Sequence, residues 1–181
     1  MTAFRSLCIA IVALVLIAGR PAARAEDQYP HGLMSAAPTT SDNRVCTIDV
    51  SPVSFGNYDP LSGAAVDALG SVTYVCGNGG ASTNAKPEKA VRVELETGSG
   101  NTYSPRSMTN GTGVDHLDYN LYLDPTHRTI WGNGFAGTDV YIDDHPPNRT
   151  PVTVPIFGRI FPLQDLPAGQ YVDALVARVV F

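Results

Sequence analysis

The sequence has 181 residues, of which 44% are hydrophobic and 16% charged, with a formal net charge of −5. That length suits one domain with its own core and leaves little room for two. An acidic chain of this kind is a poor partner for nucleic acid or for an anionic membrane surface.

Residues 1–25 read as an export signal. Arg5 supplies the charged start, Leu7 to Ala18 form an apolar run, and Ala23-Arg24-Ala25 is a cleavage site of the A-x-A kind. The run is shorter than the roughly 20 residues of a typical bilayer span, so no membrane span is expected in the mature chain. That chain would begin at Glu26, without Cys8. Removing the signal also removes Arg5, Arg20 and Arg24 but no acidic residue, which leaves the remainder more acidic still.

Glu26 to Asn43 is polar and interrupted by Pro30 and Pro38, with neither helical nor strand periodicity, and reads as a flexible arm. The domain proper is expected over residues 44–181. Val45 to Val50 alternates, placing Cys46, Ile48 and Val50 on one face of a first strand that Pro52 ends. Phe55 to Pro60 reads as a turn cluster, and Gly70 to Cys76 as a second strand with Val72, Tyr74 and Cys76 together. Both cysteines of the mature chain, Cys46 and Cys76, therefore fall on apolar faces. Export to an oxidising compartment predicts a disulfide between them, and no further ligands lie nearby to make a zinc site.

Gly77 to Pro87 is a polar loop. Ala90 to Glu96 then gives the cleanest alternation, with Val91, Val93 and Leu95 inward and Arg92, Glu94 and Glu96 outward. Gly98 to Gly113 reads as another loop, and Leu117, Tyr119, Leu121 and Leu123 repeat the period of two. Shorter or proline-interrupted strands are expected at 129–131, 140–142 and 152–160. Ala64 to Leu69 could make at most one helical turn. Short strands with Gly/Pro-rich connections and no helix predict an all-β, immunoglobulin-like antiparallel sandwich.

The run from Gly169 to Phe181 is the last strand. Tyr171, Leu175, Ala177, Val179 and Phe181 share one face, and Val172, Ala174, Val176 and Val180 the other, with Asp173 and Arg178 as polar exceptions. Apolar residues on both faces are the pattern of an interior strand, which needs hydrogen-bonding neighbours on both sides. No strand follows to form a hairpin with it. The second neighbour must come from far back in the chain or from another molecule.

Little points to chemistry. Asp115-His116-Leu117-Asp118 and Asp143-Asp144-His145 put carboxylate and imidazole close together, as acid-base catalysis or metal binding would want, but neither has a third group in a recognised spacing. Solvated or structural roles are the plainer reading. No nucleophile elbow, H-E-x-x-H or phosphate-binding glycine loop occurs, and no cofactor, metal or catalytic residue is expected. Trp131 could offer a sugar-stacking surface in a self-contained glycan-binding module, or could simply pack in the core.

Several segments in order resemble the spore coat protein U domain family. They are Phe55-Gly56-Asn57-Tyr58-Asp59-Pro60-Leu61-Ser62-Gly63, Gly70 to Cys76, Leu117-Asp118-Tyr119-Asn120-Leu121-Tyr122-Leu123, Ile130-Trp131-Gly132-Asn133-Gly134, Phe157-Gly158-Arg159 and Gly169-Gln170-Tyr171-Val172-Asp173. That family includes subunits of archaic chaperone-usher pili of the Csu type. The resemblance implies a sandwich lacking its final strand and a disulfide at Cys46 and Cys76. It also implies a hydrophobic groove beside Tyr171, Leu175, Ala177, Val179 and Phe181 that takes a strand from another protein. The implied partners are a periplasmic pilus chaperone, an outer-membrane usher and other pilus subunits. The expected product is a non-enzymatic pilus or coat subunit, exported through the periplasm to the cell surface and contributing to adhesion and biofilm formation. Pro30 and Pro38 would each remove a ladder donor from an arm that should donate a strand, which suits a tip or terminal subunit.

Overall fold

The computed structural model describes residues 8–18, 44–78 and 90–181. The expected arm at 26–43, the cleavage site and most of the 77–87 loop lie outside the described residues. The described chain runs through ten strands: β1 Cys8–Ala18, β2 Arg44–Ser51, β3 Ser54–Tyr58, β4 Val66–Asn78, β5 Val91–Leu95, β6 Arg106–Asn110, β7 His116–Tyr122, β8 Tyr141–Asp143, β9 Val152–Ile160 and β10 Gly169–Val180. Among the described residues no helix occurs.

Two layers face each other. In one, β2, β4, β9, β7 and β6 pair antiparallel in that order. The other runs β3, β1, β10, β5, β8. The hydrogen-bonded path crosses between the layers at β10, where Tyr171 lies opposite Asn110 and Val172 opposite Thr109 of β6. The predicted all-β sandwich is the fold observed.

Alternation supplies the core. Val72 and Tyr74 of β4, Leu117, Tyr119 and Leu121 of β7, and Ile156 and Ile160 of β9 face Val91, Val93 and Leu95 of β5 and the inward side of β10. Each large apolar side chain buried this way contributes about 1.5–3 kcal/mol. Cys46 and Cys76 lie directly opposite each other in the β2–β4 ladder and are joined by a disulfide. A bridge across a sequence separation of 30 adds about 3.6 kcal/mol on the loop-entropy account.

The sequence reading differs from the fold at several places. Phe55 to Pro60, expected as a turn, contains β3. Its two buried residues, Phe55 and Tyr58, are three apart, with Gly56 at a φ of 68° between them. The period of two is broken there, which hides the strand. The Gly98 to Gly113 stretch contains β6, whose buried residues Arg106, Ser107 and Met108 are consecutive rather than alternating. Residues 129–131 form only isolated bridges, from Ile130 to Tyr122 and from Trp131 to Asp139. β9 runs unbroken through Pro155; β7 covers only Phe157–Ile160, so one side of the strand is open at the proline.

Candidate strand-binding groove

β10 has two different faces. Tyr171, Asp173, Leu175, Ala177 and Val179 point into the sandwich and are buried, and Phe181 packs against the same core. Val172 and Val180 are 41% and 39% exposed, and Ala174 is exposed with them. The second apolar face is therefore an outer surface. What makes β10 an interior strand is its having neighbours along both edges.

Asp173 is the polar residue of the inward face, and it is only 2% exposed. A buried carboxylate must be hydrogen-bonded throughout, and this one is. It accepts from the Tyr119 hydroxyl at 2.6 Å, the Ser99 hydroxyl at 2.6 Å, the Ser99 backbone N–H at 2.8 Å and the Ala174 N–H at 2.8 Å. Burial, and then the charge and hydrogen bond of Asp173, push the Tyr119 phenol well above its ordinary pKa. Gly98 permits the approach, because a Cβ there would lie 2.2 Å from the Asp173 carboxylate. These contacts tie the β5–β6 connection to β10.

Arg106, fully buried at the start of β6, strengthens the same side. Its guanidinium donates to the Glu96 carbonyl from Nε and Nη2 at 3.2 Å, to the Trp131 carbonyl at 2.6 Å and to Asn120 Oδ1 at 2.7 Å. Burial lowers its pKa. On the outer surface Arg178 meets Glu96 at 2.6 Å. Along this edge β10 pairs β5 over Ala177–Val180 and β6 over Tyr171–Val172.

The other edge of β10 faces β3 across a gap one strand wide. β3 is anchored from below. The Phe55 ring sits edge-on to Tyr119 at 6.1 Å, and Tyr58 Oη accepts from the Gln164 N–H at 2.7 Å. Gly158 lets β3 press onto β9, since a Cβ there would lie 2.7 Å from Val53 and 2.8 Å from Phe55. The strand in the gap is β1. It pairs parallel with β10 through eleven consecutive residues, from Cys8 opposite Gly169 to Ala18 opposite Val179. Its pairing with β3 is antiparallel, from Cys8 opposite Tyr58 to Ile11 opposite Ser54, with a register shift between Ala10 and Ile11.

The second neighbour of β10 thus comes from far back in the same chain, from the apolar run at 8–18 that was expected to belong to an export signal. Among the described residues of 44–181, none occupies the gap. Tyr171, Leu175, Ala177, Val179 and Phe181 are together on the core side of the strand that forms one bank. Phe55 and Tyr58, on the opposite bank, were hidden in the expected turn. Their spacing of three, ahead of a proline, carries no strand signal, although both fall in a segment on which the family resemblance rests.

Of the chemical candidates, Asp118 and Asp143 take part in contacts that hold the fold. His116 is exposed and the half-buried Asp118 sits two residues along β7; the Asp118 backbone N–H donates to Gln164 Oε1 at 2.7 Å, and burial raises its carboxyl pKa. Asp143 accepts from the Tyr74 hydroxyl at 2.6 Å and from the His145 N–H at 3.0 Å, which uses its carboxylate to close a turn. Among the described residues no three metal-ligating side chains converge. Trp131 is fully buried and its indole N–H donates to the Val93 carbonyl at 2.9 Å, so it offers no stacking surface to a sugar.

Three comparisons bear on this geometry. The spore coat protein U domain profile matches residues 32–178. "Protein U" of Myxococcus xanthus is 31% identical over 135 residues, 71% of this chain and 71% of that protein. Among solved structures, the fold is similar to one in the CsuC–CsuE chaperone–tip adhesion subunit pre-assembly complex from archaic chaperone-usher Csu pili of Acinetobacter baumannii. That match has a TM-score of 0.51 at 22% identity, and covers 76% of this chain and 40% of the matched chain.

Proposed function

The chain belongs to the spore coat protein U domain family, and we propose that it is a structural subunit of a chaperone-usher pilus or surface coat, assembled by accepting a β-strand from another protein. The observation that carries this reading is the gap between β3 and β10. It is lined by buried apolar residues on both banks, and in this structure a segment that export would remove fills it. Once residues 1–25 are cleaved, β10 and β3 each present an unpaired edge above an open core. Such edges recruit strands, because backbone hydrogen bonds supply affinity and alternate side-chain pockets supply selectivity.

In this reading the mature chain, from Glu26, is exported to the periplasm, held there by a pilus chaperone, passed to an outer-membrane usher and joined to neighbouring subunits at the cell surface. It works as a building block rather than as an enzyme, and supports adhesion and biofilm formation through the fibre. A tip or terminal position fits an arm broken by Pro30 and Pro38. The test is to express Glu26 to Phe181 in an oxidising periplasm with and without an archaic pilus chaperone. Soluble protein is expected only as a complex. A stable, cooperatively unfolding monomer that ignores the chaperone would overturn the proposal.

A further inference from the structure

We propose that the outer face of the β10–β5 pair is a self-complementary surface on which a second copy of this chain packs, a contact separate from the strand-accepting edge. It goes beyond the function proposed above and does not depend on which strand lies beside β3.

The sequence of β10 is the first sign. A strand with one face in water alternates apolar and polar residues, and β5 does so, with Arg92 and Glu94 outward and Glu96 following them. β10 instead turns Val172, Ala174, Val176 and Val180 outward, with Arg178 among them. Val172, Ala174 and Val180 are exposed, and Ile142 of β8, the cross-strand partner of Arg92, is 52% exposed beside them. Apolar side chains grouped on one outer face and rimmed by polar ones mark a contact surface.

Charge selects the occupant. The chain carries 12 basic residues against 17 acidic ones, so two copies repel across most of their surfaces. On this face the charges balance. Arg92 meets Glu94 at 2.9 Å and Arg178 meets Glu96 at 2.6 Å, and Arg92, Arg178 and Glu96 keep 43%, 42% and 41% of their side-chain surface exposed.

The register supplies the complementarity. Arg178 and Glu94 are cross-strand partners, and so are Val180 and Arg92. A two-fold axis running along the strands between β10 and β5 therefore lays Arg178 of each copy over Glu94 of the other, and Val180 over the aliphatic stem of Arg92. Such a contact is isologous: one patch meets itself. A few half-exposed side chains fall short of the ~800 Å² per partner that a standard stable interface buries. The contact is weak between two free copies and accumulates where copies are arrayed, in a coat or in fibres lying side by side. On the opposite layer the corresponding cross-strand pair, Asp67 with Arg159, is closed on itself by two hydrogen bonds of 2.7 Å, and that face provides the control.

The experiment loads the mature chain from Glu26, with a histidine tag ahead of it, at equal density on nickel beads. The chain is used in whichever form is soluble, alone or with its chaperone, and clumping of the beads is followed by light scattering. Beads carrying the unaltered chain should clump, faster at higher chain density. Arg178→Glu sets carboxylate over carboxylate and Glu94→Arg sets guanidinium over guanidinium, so beads of either variant alone should clump at least ten-fold more slowly. Mixed, the two variants restore both cross-copy pairs, and the mixture should clump within about two-fold of the unaltered rate. Asp67→Arg and Arg159→Glu on the opposite face should leave the rate unchanged. Thermal unfolding checks that each variant is folded; should one fail, Arg178→Asp with Glu94→Lys forms the substitute pair. Unaltered beads that stay dispersed would overturn the proposal, as would single variants that clump at the unaltered rate, a mixture of folded variants that stays dispersed, or an equal loss from the Asp67 and Arg159 variants. Failure of the strand-accepting function looks different: the mature chain would be a closed monomer that ignores the chaperone, while the bead results would still decide this face.

Discussion

The two edges of β10 are built on opposite plans. Toward β5 and β6 the pairing is antiparallel, and polar groups fix it: Asp173 holds Ser99 and Tyr119, Arg106 holds the Glu96 carbonyl, and Arg178 reaches Glu96 on the outside. Toward β1 the pairing is parallel and joins segments from opposite ends of the sequence. Hydrogen bonds in a parallel ladder are slanted and slightly weaker per residue. The first edge is specified by particular side chains and cannot be exchanged. The second is a backbone ladder, and under the proposed function it is the edge at which a strand from another protein would pair.

That contrast can be broken most severely at the fixed edge. Arg106→Ala would leave the Glu96 and Trp131 carbonyls without their guanidinium donor and Asn120 Oδ1 with only the Leu121 N–H, beside a cavity, and should cost about 3–5 kcal/mol in urea unfolding of the strand-filled protein. Removing the disulfide with Cys46→Ser and Cys76→Ser acts in the far layer and should cost about 3–4 kcal/mol, equally with the leader or with a partner strand in the groove. A cost that depended on the occupant would show that the layers are not independent. A pH series sharpens the role of the Asp173 pin. The folded Tyr119 phenol titrates far above the unfolded value of about 10, so above that pH the unfolded state releases a proton that the folded state retains. Stability should therefore hold up to about pH 10 and then fall by about 1.4 kcal/mol per pH unit from this group; Tyr119→Phe should make the fall shallower. Least affected should be Asp67→Asn. It breaks the 2.7 Å pair with Arg159 on the exposed face of the β4–β9 ladder, and a surface pair of this kind contributes about 0.5 kcal/mol.

Much of this architecture is legible from residue order. Wherever apolar residues alternate, as in β5 and β7, the element and its buried face follow from the period, and the pairing of Cys46 with Cys76 was expected from the two cysteines that lie outside the expected leader. That β10 needs a neighbour from outside its local sequence is also legible, since its apolar residues have no local partner, and β1 is the strand found there. What escapes is whatever breaks the period. β3 bends at Gly56 so that Phe55 and Tyr58 both turn inward, and β6 buries three successive residues just before Thr109 and Asn110, through which the path crosses between layers. Arg106 was unreadable for a related reason. An arginine is expected in water, and its burial depends on three acceptors that come together only in the folded chain. The outward side of β10 misleads in the other direction, because Val172, Ala174 and Val180 look like core and lie at the surface.

The parallel run of eleven residues along β10 also has a mechanical meaning. A strand seated as β1 is, and pulled along its own axis, cannot peel away one hydrogen bond at a time. The pull is shared across the whole ladder in shear, and the strand slips only when many bonds fail together. A joint between molecules made this way would be easy to exchange from its end by an incoming strand, yet hard to part by tension along its length.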